Sequence, residues 1–337
     1  MSAFTRPAPR RFESAALGLL AVAVLGLYAS ALPGHLAKMG AGAQRPVALD
    51  LAAHPDIAAP PPAKPLVMDG RITAAELRRH FLAVGYTLNE VRQGSGDVPR
   101  LFVDQVPPDL KGMNDIQLRK SLFFRLTLPL VLRVNEEIAV ERGRLLDLAQ
   151  RLDQGGELAA ADRVWLKRLA GKYGLKAEGG KIDMAELKKR VDGIPPSLAL
   201  AQAAEESGWG TSRFARQGNA LFGQWTMDEE AGLVPADRPD GASHAVRAFP
   251  SLLHGVEAYM RNLNTHAAYR GFRDRRAVLR ETASRLDGYQ LAGTLTSYSE
   301  RGQEYVETLR TIISANELKT LDHAWLGEVT DQLAARL

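Results

Sequence analysis

The sequence predicts a mainly α protein: a helical N-terminal domain, then a second helical unit that carries a small β-hairpin, both behind an apolar segment and a tether. Three observations predict it. From residue 74 onward, apolar residues recur at helical spacing in runs bounded by Gly and Pro. Strand-like alternation is scarce, its best instance being residues 242–249. With 337 residues, 45% hydrophobic and 24% charged, the chain has an ordinary globular balance and the length for two cores.

The N-terminus comes first. Residues 1–14 form a basic n-region with Arg6, Arg10 and Arg11, followed by an uncharged stretch. As a helix, Ala15–Leu32 would span roughly 27 Å, close to the hydrocarbon thickness of a bilayer. Two readings of 15–32 stay open. One is an uncleaved transmembrane anchor with its arginines on the cytoplasmic side. The other is a signal peptide cut at Ala29-Ser30-Ala31. Both export the rest of the chain. It would be held on the periplasmic side of the inner (cytoplasmic) membrane through the helix, or released to the periplasm if residues 1–31 are removed. Residues 33–68, with Pro60-Pro61-Pro62 and Pro65, read as a Pro/Ala-rich linker.

The helical N-terminal domain is placed at 69–180. Thr73 is the N-cap of a helix over Ala74–Val84, with Leu77, Phe81 and Leu82 on its apolar side. Residues 85–114, broken by Gly94, Gly96, Pro99 and Pro107-Pro108, fit short strands or loops equally. Asp115 caps a long helical region. Its strongly apolar part, 121–138, is interrupted by Arg125, Pro129 and Arg133, which argues for a buried helix kinked at Pro129 and against a second membrane span. Leu145, Leu148 and Leu152 carry the stripe to Gly155-Gly156. A second stripe, Leu158, Ala161, Trp165 and Leu169, places Trp165 in the core.

A loop at 177–181 separates this domain from a unit at 181–317. A short helix, Met184–Val191, leads to Pro195-Pro196, which opens a helix running to Ser207, where Gly208 and Gly210 stop it. Residues 242–249 pair as a hairpin with 222–226. Phe249-Pro250-Ser251 precedes a helix carrying Leu252, Leu253, Val256, Tyr259, Met260 and Leu263. Further helices fall at about 274–286, 289–296 and 301–317, with a helical tail over 318–337.

Composition narrows the chemistry. There is no cysteine, so thiolate nucleophiles, disulfides and cysteine zinc sites are excluded. His244, His254 and His266 lack metal-ligand spacing, and no phosphate loop or nucleophile elbow is present, so no metal and no cofactor is expected. The formal charge of +4 comes without a basic run, which argues against nucleic acid. What remains is Glu205-Glu206, at the end of a helix just before Gly208-Trp209-Gly210. A carboxyl held beside an indole suits the general acid of a glycosidase, because an apolar neighbour raises its pKa. The two glutamates lie about 100° apart on the helix, so they cannot both face one groove, and periodicity does not choose between them. Alone the pair would read as solvated glutamates; the Ser-Gly-Trp-Gly that follows weighs against that. The next run ends in Phe222-Gly223-Gln224-Trp225, an aromatic loop of the kind that lines a sugar groove.

The whole stretch 194–225, IPPSLALAQAAEESGWGTSRFARQGNALFGQW, resembles the core motif of the bacterial endo-β-N-acetylglucosaminidases of the lysozyme-like superfamily, and within them the Bax family. Residues 135–142, 258–277 and 298–313 also look like Bax-family segments, so the resemblance covers about 70–320. It implies a lysozyme-like α+β glucosaminidase-like catalytic domain at 181–317 that cuts the GlcNAc-β-1,4-MurNAc bonds of peptidoglycan glycan strands. The family's catalytic glutamate precedes Ser-x-Trp-Gly and so falls on Glu206. Trp209 would pack near the active site, with Ser207 supporting the loop. Asn219, Phe222, Gly223 and Trp225 would line the cleft, Tyr298 and Tyr305 would face the saccharide, and Gln202, one turn before Glu206, joins the binding set. The chain departs from the pattern in two places. Position 205 is acidic, and the second glutamate that many relatives carry in the hairpin has five candidates, Asp228, Glu229, Glu230, Asp237 and Asp240. Glu230 is the choice among them, although each reads equally as an exposed loop carboxylate. The cleaving step could use a second carboxylate on water, a carboxylate nucleophile, or the acetamido oxygen of the substrate. Two other functions fit the same fold: a lytic transglycosylase, and a non-catalytic wall-binding scaffold. No protein partner is indicated.

Overall fold

The computed structural model describes residues 66–68, 72–177, 181–228, 230–235, 245–282 and 285–328. The apolar stretch 15–32, the linker up to residue 65 and the tail beyond 328 lie outside them. Among the described residues no helix is long and apolar enough to cross a membrane.

The first described element, β1 (Leu66–Met68), falls in the stretch read as linker. It pairs in parallel with β2 (Leu101–Val103), Val67 opposite Phe102. Between them lie α1 (Ala74–Ala83) and α2 (Leu88–Gln93), the latter where only strands or loops were expected. Thr73 caps α1 as predicted: its hydroxyl accepts from the Glu76 N–H at 3.2 Å, and its own N–H donates to the Glu76 carboxylate at 2.9 Å. Leu77 and Phe81 are buried, but Leu82 is 54% exposed. It sits five positions past Leu77, which turns it off the buried stripe.

Helix α3 (Ile116–Asp153) is capped by Asp115, which accepts from the Leu118 N–H at 2.9 Å. Its 38 residues reach ~57 Å. It runs through Pro129 without a break, and every residue from Leu122 to Leu132 is buried, so packing on all sides offsets the hydrogen bond that proline removes. Arg125, buried in this run, donates to the Tyr86 carbonyl and lies over the Phe81 ring at 4.6 Å, while Arg133 pairs with Glu137 at 2.8 Å. The charges are thus absorbed inside a globular core, as expected.

Helices α4 (Ala160–Lys172) and α5 (Met184–Arg190) form a small second core with the C-terminal half of α3, through Leu145, Leu148, Leu166, Leu169 and Leu187. The buried face of α4 differs from the predicted stripe: Ala161 is exposed and Trp165 half-buried under Arg144, and Leu166, Leu169 and Ala170 make the contact. Leu152 is likewise 40% exposed.

Next come α6 (Pro196–Ser207), with the bounds its Pro and Gly signals predict, and α7 (Arg213–Gly218). Strands β3 (Trp225–Thr226), β4 (Gly232–Leu233) and β5 (Ala245–Arg247) form an antiparallel sheet in the order β3-β5-β4, Trp225 opposite Val246. The predicted pairing of 242–249 with 222–226 is present, and β4 adds a third strand. Helices α8 (Leu252–Thr265), α9 (Arg270–Thr282), α10 (Gly288–Ala292) and α11 (Gln303–Ala315) complete the fold, followed by a 3-10 turn at Leu318–His323. The fold is mainly α with a small antiparallel sheet, consistent with the lysozyme-like arrangement.

Helix α6 is the centre of this arrangement. Alanine-rich and buried from Pro196 to Ala204, it packs against α3, α10, α11 and the last 3-10 turn. Asp322 in that turn takes both the N–H and the hydroxyl of Ser197, each at 2.8 Å, and so fastens the N-terminus of α6. The main core gathers residues from Ala74 to Leu326, on both sides of the loop at 177–181. Asp192, 2% exposed, accepts from Arg280 at 2.7 Å with its side chain and from Arg276 at 3.0 Å with its carbonyl, which ties α9 to the loop before α6.

Candidate active site

Helix α6 delivers its last turn from the core to the surface at Glu205-Glu206. Gly208, at φ +56°, ends it in the left-handed conformation that glycine adopts without strain. The two glutamates diverge as their helical spacing requires. Glu205 pairs with Arg301 at 2.5 Å. Glu206 lines a cleft of about 1150 Å³. The loop before the sheet and β3 add Gly223, Gln224 and Trp225, β5 adds Arg247, and α8 adds His254, Glu257 and Arg261. Tyr269, Tyr298 and Arg301 line it as well.

Behind Glu206 runs a chain of hydrogen bonds. The Tyr259 hydroxyl donates to Gln202 Oε1 at 2.7 Å, Gln202 Nε2 donates to the Tyr305 hydroxyl at 3.0 Å, and Tyr305 donates to Glu206 Oε1 at 2.7 Å. Aromatic rings fix these groups in place. Tyr298 and Tyr305 lie parallel with centroids 5.5 Å apart, and Phe222 stacks on Tyr259 at 3.8 Å. Burial raises the Tyr259, Tyr298 and Tyr305 hydroxyls far above their ordinary pKa, so they remain neutral donors. Burial also pushes the Glu206 carboxyl up to about 7; the Tyr305 hydrogen bond opposes this, the Glu205 charge adds to it, and Arg301 opposes it. The carboxyl can therefore carry a proton near neutrality at the wall of the cleft.

The remaining residues predicted for the site separate into those on the cleft and those behind it. Phe222, Gly223, Trp225 and Tyr298 line it, and Trp225 is 62% exposed. Gly223, at φ +59°, brings the backbone so close that a Cβ there would stand 3.6 Å from Glu206 Oε2. Tyr305 is buried and reaches Glu206 from behind. Gln202 is fully buried with both amide atoms engaged, so it positions Tyr305 and has no surface for substrate. Asn219 is also buried. It ends α7 at φ +52° and donates to the Phe249 carbonyl at 2.9 Å, fastening the loop that leads to Phe222. Trp209 does not line the cleft: its ring packs on Phe124 at 5.0 Å and Phe123 at 6.1 Å, with the Lys120 ammonium 4.6 Å above it. It anchors the end of α6 on α3, at a φ of +59° that costs a bulky residue strain. Ser207 supports this turn, donating to the Ala203 carbonyl and accepting from the Gly210 N–H at 2.8 Å. Glu230 is exposed in the turn between β3 and β4, its N–H bonded to Asp228, and it does not line the cleft. Among the described residues the carboxylates that do, besides Glu206, are Glu257 and Glu300; the candidates Glu229, Asp237 and Asp240 lie outside the described residues.

Sequence reasoning missed Arg301, Tyr269 and Glu257. Tyr259 was read only as core, although its hydroxyl starts the chain to Glu206. The run 298–313 does contain Arg301 between two tyrosines, but nothing local marks it as the partner of Glu205.

A glucosaminidase family model, described as mannosyl-glycoprotein endo-beta-N-acetylglucosaminidase, matches residues 182–318, which carry Glu206 and the cleft. The chain is also similar to Protein bax of Escherichia coli (strain K12), with 35% identity over 212 residues, 62% of this chain and 74% of that protein. No solved structure gives a significant match. The domain is of a glycosidase type. On these grounds the chain belongs to the Bax family, as a glucosaminidase-type protein.

Proposed function

We propose that this chain hydrolyses the GlcNAc-β-1,4-MurNAc bond of peptidoglycan with Glu206 as the general acid. One observation carries the reading: a glutamic acid lining a cleft of about 1150 Å³, its carboxyl pushed up to about 7 by burial. In its protonated form Glu206 gives its proton to the glycosidic oxygen as the C1–O bond breaks. Glu205 is held by Arg301 and Glu230 stands outside the cleft, while Glu257 and Glu300 line it. The electron pair at C1 comes from the acetamido oxygen of the substrate, with Glu257 or Glu300 as the alternative donor: the oxygen closes on C1, and water then opens the ring and gives its proton to the Glu206 carboxylate. The exposed Trp225 and the ring of Tyr298 supply faces for the sugars. From the basic residues before the apolar stretch 15–32 we infer that this takes place outside the cytoplasmic membrane.

The test incubates the protein and its Glu206→Gln variant with purified peptidoglycan and reads the released fragments by mass spectrometry. Fragments ending in reducing GlcNAc, absent with the variant, are the expected result. Anhydro-MurNAc ends would make it a lytic transglycosylase. No fragments at any protein level, with both forms pelleting with the wall, would make it a binding scaffold.

A further inference from the structure

A second pocket, of about 220 Å³, lies beside the cleft and shares Glu257 and Arg261 with it. Its other side comes from the helical N-terminal part: Glu137 and Ile138 of α3, and Lys172 and Tyr173 at the end of α4. The volume corresponds to about seven waters at ~30 Å³ each, the scale of one amino-acid side chain. Three features show what it would hold. Asn264, which lines it, is fully buried; its Nδ2 donates to the Asp192 carbonyl at 3.0 Å, yet its Oδ1 has no hydrogen-bond partner. A buried acceptor left without a donor is costly, so this atom calls for one. Glu257 and Arg261, one turn apart on α8, form no ion pair with each other or with another described residue. Glu137 is partly buried near Glu257; burial raises its carboxyl, Arg133 lowers it, and the Glu257 charge raises it again. Glu137 is already paired with Arg133 at 2.8 Å and Lys172 with Glu141 at 2.6 Å, which leaves the Glu257 carboxylate and the unused Asn264 oxygen to take an ammonium, and Arg261 beside them to take a carboxylate.

We propose that this side pocket takes an amino-acid residue bearing an ammonium and a carboxylate, carried on a peptide attached to the glycan strand in the cleft. The inference rests on the glycosidase reading and adds what the strand must carry. It also gives the helical N-terminal part a role, since α3 and α4 complete a site that α8 alone would leave open.

The test compares three soluble glycan strands: peptide-bearing with free amines, the same strands with the amines acetylated, and peptide-free. Cleavage by the full chain and by Glu257→Gln is followed as kcat/KM. Dissociation constants for the same strands are measured on Glu206→Gln, with and without Glu257→Gln. A charge-assisted hydrogen bond predicts that free-amine strands are favoured over acetylated ones by roughly tenfold in both readouts, and that Glu257→Gln brings the ratio near one. Damage to the fold would lower all three substrates together and leave the ratio intact. A ratio near one with the parent chain overturns the pocket; if the three strands are then cleaved equally, the glycosidase reading survives. No cleavage with a tenfold binding preference keeps the pocket and rejects the glycosidase reading.

Discussion

Replacing Glu206 by Gln should make the protein more stable, by a margin that opens above pH 4.5 and is nearly complete at about pH 7. The folded state raises this carboxyl from 4.5 to about 7, so holding it ionised in the cleft is unfavourable. A shift of that size corresponds to about 3 kcal/mol at 1.36 kcal/mol per pH unit, an upper bound because the group is partly exposed. The sign follows from linkage. With the folded pKa above the unfolded one, the carboxyl contributes its stability in full below pH 4.5 and loses it as pH rises through about 7. Gln keeps the shape and an oxygen that accepts from Tyr305, but never ionises. Thermal melts followed by circular dichroism should therefore coincide for the two proteins at pH 4. They should separate between pH 4.5 and about 7 and differ by about 5–10 °C at pH 8.5, with the variant higher. Equal melting at pH 8.5, or a gap that does not change with pH, would refute the account of a strained acid. The same experiment separates stability from function, since the more stable protein should be the inactive one.

Three further outcomes are expected. Tyr305→Phe removes the hydrogen bond that lowers the Glu206 pKa and strands Gln202 Nε2; the alkaline limb of the pH–activity profile should move up, and stability should fall by about 1–3 kcal/mol in denaturant titration. Glu205→Gln removes a like charge and frees Arg301, so the alkaline limb should move down; an upward shift would contradict the pairing described here. Trp209→Ala deletes the contacts with Phe123 and Phe124 and should cost about 2–4 kcal/mol in chemical denaturation, with the Glu206 pH limb unchanged, because the indole does not reach the acid.

Much of the frame is legible in the sequence. The bounds of α6 follow from Pro196 and Gly208, and Asp115 and Thr73 cap where a side-chain acceptor must. Glu206 is legible because a specific local pattern surrounds it. The roles of Gln202 and Trp209 are not, because each depends on partners far along the chain: Gln202 on Tyr305, and Trp209 on Phe123 and Phe124. Spacing told that Glu205 and Glu206 diverge but not which cation waits for Glu205. Leu82 and Ala161 failed for a different reason. Both lie at the margin of an apolar stripe, where a hundred degrees of rotation separates core from water, and only packing decides.

The hydrogen-bond chain behind Glu206 makes the two oxygens of its carboxyl chemically distinct. Tyr259 gives its hydrogen to the carbonyl of Gln202, so the amide nitrogen must face Tyr305, and an amide nitrogen can only donate. The single hydrogen of Tyr305 is then committed to Oε1 of Glu206. The neutral acid is left with its proton on Oε2, the oxygen beside Gly223. The carboxyl therefore has an address for its proton, set by Tyr259, Gln202 and Tyr305 behind it. Under the proposed hydrolysis, a glycosidic oxygen arriving from the Gly223 edge would find a donor, and one arriving from the Tyr305 side a lone pair already taken. The bare backbone at Gly223 would then be the doorway to that proton, and the orientation of a buried amide would decide from which side the strand is cut.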